Sequence, residues 1–299
     1  METTLKVVVL SHTPEFEQNI VRGARLCYSS ADIEALRDKV TPEDAEKFLN
    51  MILGLGHGSV LEHSSITFGI EGVSRALTHQ LVRHRLASYS QKSQRYVKEG
   101  QFSYVVPKPI QNNPNARQSY IEHMERTQRA YDNITTELLY EMVSDHLYQL
   151  SEEKANEFNK LIFKAQEEKN SILSPQEICD LFKEFDKRTY SKFEKLAIEN
   201  ARYVLPNACE TKIQMTVNVR TLFNFFKERL CDRAQEEIRE LAFEMWKACM
   251  EISPTIFKHA VPTCVNGKCK EGAYSCMKMA YYKQKHGEVI SQYIGDKHE

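Results

Sequence analysis

Arg83-His-Arg-Leu-Ala-Ser-Tyr-Ser-Gln-Lys-Ser-Gln-Arg-Tyr96 is the stretch from which the rest of the chain is best read. Arg83, His84, Arg85 and Arg95 stand among the hydroxyls and amides of Ser88, Ser90, Gln91, Ser93 and Gln94, and no acid lies within the stretch to neutralise them. Arginine forks and hydroxyl donors are what a phosphorylated ligand needs, because they give it bidentate, charge-assisted hydrogen bonds. The same residues also suit a solvated basic face, or cations offsetting the negative end of a helix.

Working outward, Ser64 to Ile70 alternates as a strand does, and Ser74 caps a helix expected to run to about Arg85. On that helix Gln80, Arg83 and His84 fall at i, i+3 and i+4 and share one face. Upstream, Lys6 to Leu10 is β-branched and reads as a strand, and Phe16 to Tyr28 has helical periodicity. Thr41-Pro42-Glu43-Asp44 opens a helix with a cap, a proline in its first turn and acids to meet the dipole. That helix should stop at Gly54 or Gly56. Gly54-Leu-Gly-His-Gly58-Ser59 is glycine-rich, but it follows a helix and lacks the Gly-Lys-Ser/Thr ending of a phosphate loop. His57 and His63 are six apart, a spacing that defines no metal-binding helical face.

Downstream, Gln101 to Val106 reads as a strand ended by Pro107 and Pro109. Residues 115–170 are helical, with Ser151 as a cap between two segments. Ser174-Pro175 opens a long helix towards Tyr203. Ile213 to Val217 is a strand leading into Asn218-Val-Arg220-Thr-Leu-Phe-Asn224-Phe-Phe-Lys-Glu-Arg229, and the helix is expected to continue through Gln235 towards Glu251. Arg229 follows Leu222, Phe225 and Phe226 at helical spacing and so lies on the apolar face. A guanidinium buried there without a partner would cost several kcal/mol, so Arg229 calls for an anion or acceptor. The alternative is a stem covering apolar surface with its head in water.

With 299 residues, 41% of them apolar, the chain can bury a substantial core as one large domain or two small ones. Its 40 basic residues nearly balance 41 acidic ones, which argues against a broad nucleic-acid or membrane surface but not against a local basic pocket. The apolar run Leu5 to Leu10 is too short to span a bilayer and lacks the flanks of a signal peptide. Eight scattered cysteines do not form a disulfide framework, and a cytoplasmic location is expected. Cys264, Cys269 and Cys276 offer three thiols, to which His259 would add a fourth ligand, but the short knuckle spacing of zinc sites is missing. Ordinary thiols and no metal are expected.

Arg83-His84-Arg85, seven residues and then Ser93 resembles the signature of the flavin-dependent thymidylate synthases, and Gln80 and Arg95-Tyr96 extend the likeness. His57-Gly-Ser59-Val-Leu-Glu62-His63 resembles part of that family's flavin site. Ala201-Arg202-Tyr-Val-Leu-Pro206 and the block Asn218-x-Arg220-x-x-x-Asn224 followed by Arg229 resemble its second half. The resemblance implies an α+β fold, with helices packed around a mixed or antiparallel sheet. It implies one domain over residues 1–299, with a long helical insertion at about 110–195 and a cysteine-containing tail at about 255–299. The implied reaction is reductive methylation of dUMP to dTMP, with 5,10-methylenetetrahydrofolate as carbon donor and NADPH or NADH reducing bound FAD.

By the same resemblance, Gln80, Arg83, Gln91, Ser93, Arg95, Arg202 and Arg229 bind dUMP, and Arg229 is catalytic. His57, Ser59, Arg83, His84, Arg85, Leu86, Gln91, Asn218, Arg220 and Asn224 contact FAD, while Glu62 helps shape that pocket. The family assembles as a homotetramer with shared active sites, and no nucleic-acid or membrane partner is implied. Gln91 stands where the family commonly has an acid, Ser90 where it has Asn, and Arg233 where it often has His. No cysteine falls on a matched catalytic position; Cys231 lies two residues after Arg229 and reads as packing. Two other classes predict different behaviour: a nucleic-acid module would bind oligonucleotides with strong salt dependence, and a helical scaffold would rest on residues 115–203.

Overall fold

A computed structural model describes residues 1–38 and 40–294. The chain divides into two compact units, one of Thr3–Gln91 with the chain from Glu210 onward, the other of Lys92–Cys209 with Met1–Glu2. In chain order the first part of the sheet unit holds β1 (Lys6–His12), α1 (Phe16–Leu26), α2 (Ile33–Asp38), α3 (Pro42–Leu55), β2 (Ser65–Ser74), α4 (Arg75–Leu81) and β3 (Ala87–Gln91). The helical unit follows with α5 (Lys108–Gln111), α6 (Pro114–Tyr148), α7 (Glu152–Lys169), α8 (Pro175–Phe185) and α9 (Lys187–Ala201). The sheet unit then resumes with β4 (Glu210–Asn218), α10 (Val219–Arg229), α11 (Glu236–Ile252), α12 (Pro254–Phe257), α13 (Thr263–Asn266) and α14 (Met279–Ile294).

The four strands form one antiparallel sheet in the order β1-β2-β4-β3. Alternation decides which face is packed. Ile66, Phe68 and Ile70 of β2 and Ile213, Met215 and Val217 of β4 are buried, whereas Lys212 and Gln214 are exposed. The buried face joins Ile20 and Val21 of α1, Leu222, Phe225 and Phe226 of α10, and Leu241, Met245 and Trp246 of α11 in a single core. β2 is bent at Gly72, whose φ is 73°. A Cβ there would run into the carbonyl oxygen of Thr4, so only glycine fits. The helical unit has its own core, in which Leu139, Val143, Phe158, Phe182 and Tyr190 pack together. Among the described residues no helix is long and apolar enough to cross a membrane.

The helix start at Thr41 is as expected: its hydroxyl accepts from Asp44 N–H at 3.2 Å, and Gly56 ends the helix with φ 75°. Other boundaries differ from the sequence expectation. α4 stops at Leu81 rather than near Arg85 because the chain must turn to enter β3, so Arg83 and His84 lie on that turn and not on a helical face with Gln80. Gln101 to Val106 forms no strand. Tyr104 makes only isolated bridges, to Glu2 and Cys209. The helix opened by Ser174 breaks at Asp186 (φ −139°, ψ 79°), whose carboxylate accepts from Thr189 N–H and caps a second helix. Ser151 occupies the cap position of α7 without a side-chain bond to it. α10 ends at Arg229, and α11 is a separate helix.

Candidate active site

Sheet register builds the first part of the site. β3 pairs with β4 so that Ala87 lies opposite Val217, and β4 ends one residue later at Asn218, which caps α10 by accepting from Thr221 N–H at 2.8 Å. The Arg83–Leu86 turn and the start of α10 are therefore neighbours. Glu237, in the first turn of α11, accepts from both the N–H and the hydroxyl of Ser74 at 2.7 Å, which fixes the start of α4. Tyr89 fixes its far end. The phenol reaches the carbonyl oxygens of Leu81 (3.0 Å) and His84 (2.8 Å) as alternative acceptors, and burial pushes its pKa up to about 12. Nothing in the motif pointed to Tyr89; its place at an inward position of a short strand is the only signal it carries.

Arg229 meets its expected partner here. Its Nε–H donates to Nε2 of His84 at 3.1 Å, and the imidazole stands edge-on against Phe225 with centroids 5.0 Å apart. Burial, and then the Arg229 charge, hold the His84 pKa below its ordinary value against a smaller opposing effect of Glu228. The ring is therefore neutral at pH 7. Because Nε2 accepts, the ring proton must sit on Nδ1. Arg229 is thus oriented by a group that does not neutralise it.

Around this pair, Arg83, Arg85 and Leu86 are exposed on the turn, and Arg220 and Asn224 are exposed one helical turn apart on α10. Arg220 pairs with Glu62. His57 and Ser59 line a cavity of about 800 Å³ together with Tyr28, Phe48, Met51 and Leu55. Gln80 donates to Gln235 at 3.4 Å. Gln91 donates from its amide to the hydroxyls of Thr78 (3.0 Å) and Thr211 (3.3 Å). Each hydroxyl can accept from an amide or donate to a carboxylate, so the glutamine is accommodated where an acid is usual.

The remaining predicted residues belong to the helical unit, where they gather on Glu199. Its carboxylate takes Arg95 at 2.7 Å, and its backbone carbonyl accepts from Arg202 Nε–H at 3.2 Å. Ser93 accepts from the Arg95 N–H at 3.2 Å. The two guanidinium groups lie 5.5 Å from the rings of Tyr96 and Tyr203. Glu199 is not legible as a site residue, since an acid two residues from the end of an amphipathic helix looks like any solvated one.

The sequence matches the family described as thymidylate synthase complementing protein over residues 8–255. It is 45% identical over 280 residues to the flavin-dependent thymidylate synthase of Clostridium tetani, covering 94% of this chain and 96% of that one. The flavin-dependent thymidylate synthase of Geobacter sulfurreducens is 39% identical over 282 residues, with 94% and 97% covered. The chain belongs to the flavin-dependent thymidylate synthase family.

The α+β architecture has the same fold as a UMP/dUMP methylase, PolB from Streptomyces cacaoi, solved with 5-Br dUMP. The TM-score is 0.55 at 17% identity, over 87% of this chain and 96% of that one. For the family's flavin, the residues present are of the right kind. Cationic and amide donors on the Arg83–Leu86 turn and α10 suit a pyrophosphate, and the aromatic walls beside His57 and Ser59 suit a planar ring.

Proposed function

We propose that this protein methylates dUMP to dTMP, with 5,10-methylenetetrahydrofolate as carbon donor and NADPH or NADH as reductant. His57, Ser59, Arg83, His84, Arg85, Leu86, Gln91, Asn218, Arg220 and Asn224 would hold FAD, whose chemistry when bound is to deliver the reducing hydride. Ser93, Arg95 and Arg202 bind the phosphate of dUMP; Gln80, Arg83 and Gln91 offer donors and acceptors to the rest of the nucleotide. The enzyme works in the cytoplasm as a homotetramer with shared sites. The helical stretch at about 110–195 serves as a frame for Glu199 and the arginines it holds.

The observation that carries this reading is the neutral His84 acceptor behind Arg229. For C5 of uracil to attack the carbon donor, negative charge must develop across N3 and the ring carbonyls. A guanidinium held in place, with its full charge and its terminal N–H groups available, stabilises that charge without having to reorganise. A carboxylate in the position of His84 would cancel much of the field. His84 instead acts as a positioning residue. The test is the visible spectrum and turnover of purified enzyme and of Arg229→Ala. Wild type should carry an oxidised flavin spectrum that bleaches under anaerobic NADPH and faster with dUMP. The variant should keep the spectrum and lose dTMP formation. A colourless protein that FAD does not reconstitute, or a variant with unchanged turnover, overturns the reading.

A further inference from the structure

Beyond Arg229 the chain makes a short turn, Leu230 to Gln235, before α11, and the segment after α13 is fastened to it. Asp232 takes Lys278 at 3.1 Å and the Tyr282 hydroxyl at 2.6 Å. Arg233 pairs with Glu271 at 3.5 Å, donates to the Tyr274 carbonyl at 3.5 Å, and lies 5.6 Å from the centre of the Tyr274 ring. Within this sheet unit, α10, the turn and the fastened segment together line a cavity of about 470 Å³.

Charge distinguishes that cavity. Lys227, Arg229, Arg233 and Lys270 face the two carboxylates of Glu228 and Glu271 across it. Lys227 and Arg229 alone need no special explanation, since cations in the last turn of α10 meet the negative end of its dipole. Lys270 is different. It comes from beyond α13 and is exposed, so neither the dipole nor packing accounts for its place beside α10. Its ammonium lies within hydrogen-bonding reach of Lys227, and this crowding, then burial, holds Lys227 below the usual ammonium range. Glu228 works the other way but is the smallest of these influences. Two ammonium groups in one place are costly unless an anion shares the space.

The kind of anion follows from the charge. Four cations against two carboxylates leave two positive charges unbalanced, which suits a dianion better than a single carboxylate. A phosphate monoester is close to a dianion at neutral pH and brings three acceptor oxygens. Arg233 already has its planar fork restrained over a ring, and its pairing with Glu271 is exposed, hence weak enough for a phosphate to displace. The cavity also touches Asn224, which under the function proposed above helps to hold FAD. A reductant that hands a hydride to the flavin must bind beside it, whereas the phosphate of dUMP and the pyrophosphate of FAD are provided for by other residues.

We propose, resting on that reading, that Lys227, Arg233 and Lys270 form the subsite for the 2′-phosphate of NADPH and make the enzyme prefer NADPH to NADH. NADH carries only a hydroxyl at that position, and it leaves the two lysines facing each other without a counter-charge.

The experiment is steady-state kinetics of the full-length holoenzyme with each reductant, for wild type, Lys227→Met and Lys270→Met. Wild type should use NADPH at least about tenfold more efficiently than NADH, and each variant should lose about tenfold to a hundredfold for NADPH through KM, the range for a charge-assisted hydrogen bond. Efficiency with NADH should stay close to wild type. Adenosine 2′-phosphate should compete with NADPH in the wild type and fail to do so in Lys270→Met. Flavin reduced with dithionite bypasses NADPH, and both variants should then form dTMP in a single turnover as the wild type does. A wild type that forms no dTMP even then overturns the function and this subsite with it. If dTMP does form, equal efficiencies for NADPH and NADH overturn the subsite alone. So does a variant that keeps the wild-type KM for NADPH, loses both reductants equally, loses its flavin, or shows the rise in KM for methylenetetrahydrofolate instead.

Discussion

The two units hold arginines in opposite ways. In the sheet unit, Arg229 is half-buried and restrained through Nε by an uncharged ring. In the helical unit, Arg95 is exposed and neutralised by the Glu199 carboxylate, and Arg202 leans on the carbonyl of the same residue. The first arrangement keeps a full positive charge in a low-dielectric setting, which suits charge that develops during a reaction. For Arg95 the second keeps the cation ordered by an anion that a phosphate can displace, and exposed pairs of this kind contribute only ~0–1 kcal/mol, so exchange costs little. Under the proposed function the contrast lies between Arg229, oriented by a neutral ring where charge develops, and Arg95, neutralised by a carboxylate that a phosphate would displace.

The sharpest break of that comparison is Arg229→Ala. Steady-state kinetics should show kcat lower by roughly 10²–10³-fold, the range for losing one transition-state charge donor, with flavin content retained. Next comes His84→Ala, which leaves the half-buried Nε–H without its acceptor. At ~1–3 kcal/mol for an unsatisfied donor, kcat should fall about tenfold to a hundredfold. The pH profile sharpens the same point. Because the folded pKa of His84 is depressed, the contact and its stabilisation are complete above the ordinary histidine value of about 6.5. They are lost as pH falls through the depressed value, where a second cation would face Arg229. The kcat profile should carry an acid limb below that ordinary value, and His84→Gln, an acceptor that does not titrate, should lack it.

Glu199→Gln should behave differently. KM for dUMP should change by up to about fivefold with kcat nearly constant, in keeping with an exposed ion pair; a collapse of kcat would mean the two kinds of arginine are not distinct. The smallest effect expected is that of Tyr89→Phe. Removing one hydroxyl that serves two carbonyls should lower unfolding stability by about 1–2 kcal/mol in denaturant titrations.

How far the sequence could be read depended on whether a residue's partner was local. Thr41, Pro42 and Gly56 declare a helix because cap, proline and left-handed glycine all act within a few residues. β1, β2 and β4 are legible from β-branched and alternating apolar residues, whereas β3 is not, since Ala87-Ser-Tyr-Ser-Gln91 has no β-branched residue to mark it; Arg229 announces a need for an acceptor by sitting among Leu222, Phe225 and Phe226. The identity of that acceptor was not legible, since His84 is 145 positions away. The end of α4 is not legible because no glycine or proline interrupts Val82, Arg83 and His84, and only the pairing of β3 with β4 pulls the chain out of the helix. Gln101 to Val106 has strand composition but no neighbouring strand to pair with beyond single bridges. The break at Asp186 carried a usable signal, an acid three residues before Thr189, masked by continuous amphipathicity on both sides.

The Gly72 bend bears on how mutational scans of this enzyme should be interpreted. A scan scored by growth without thymidine would find position 72 as intolerant as position 229, yet the two have nothing in common chemically. At Gly72 any side chain would block the seating of the strand that starts just after Thr4, so such variants would vanish from the soluble fraction before meeting substrate. Variants at Arg229 would accumulate normally and fail only in turnover. Scoring abundance alongside growth separates the two classes, and positions that lose growth while keeping abundance then outline the chemical site.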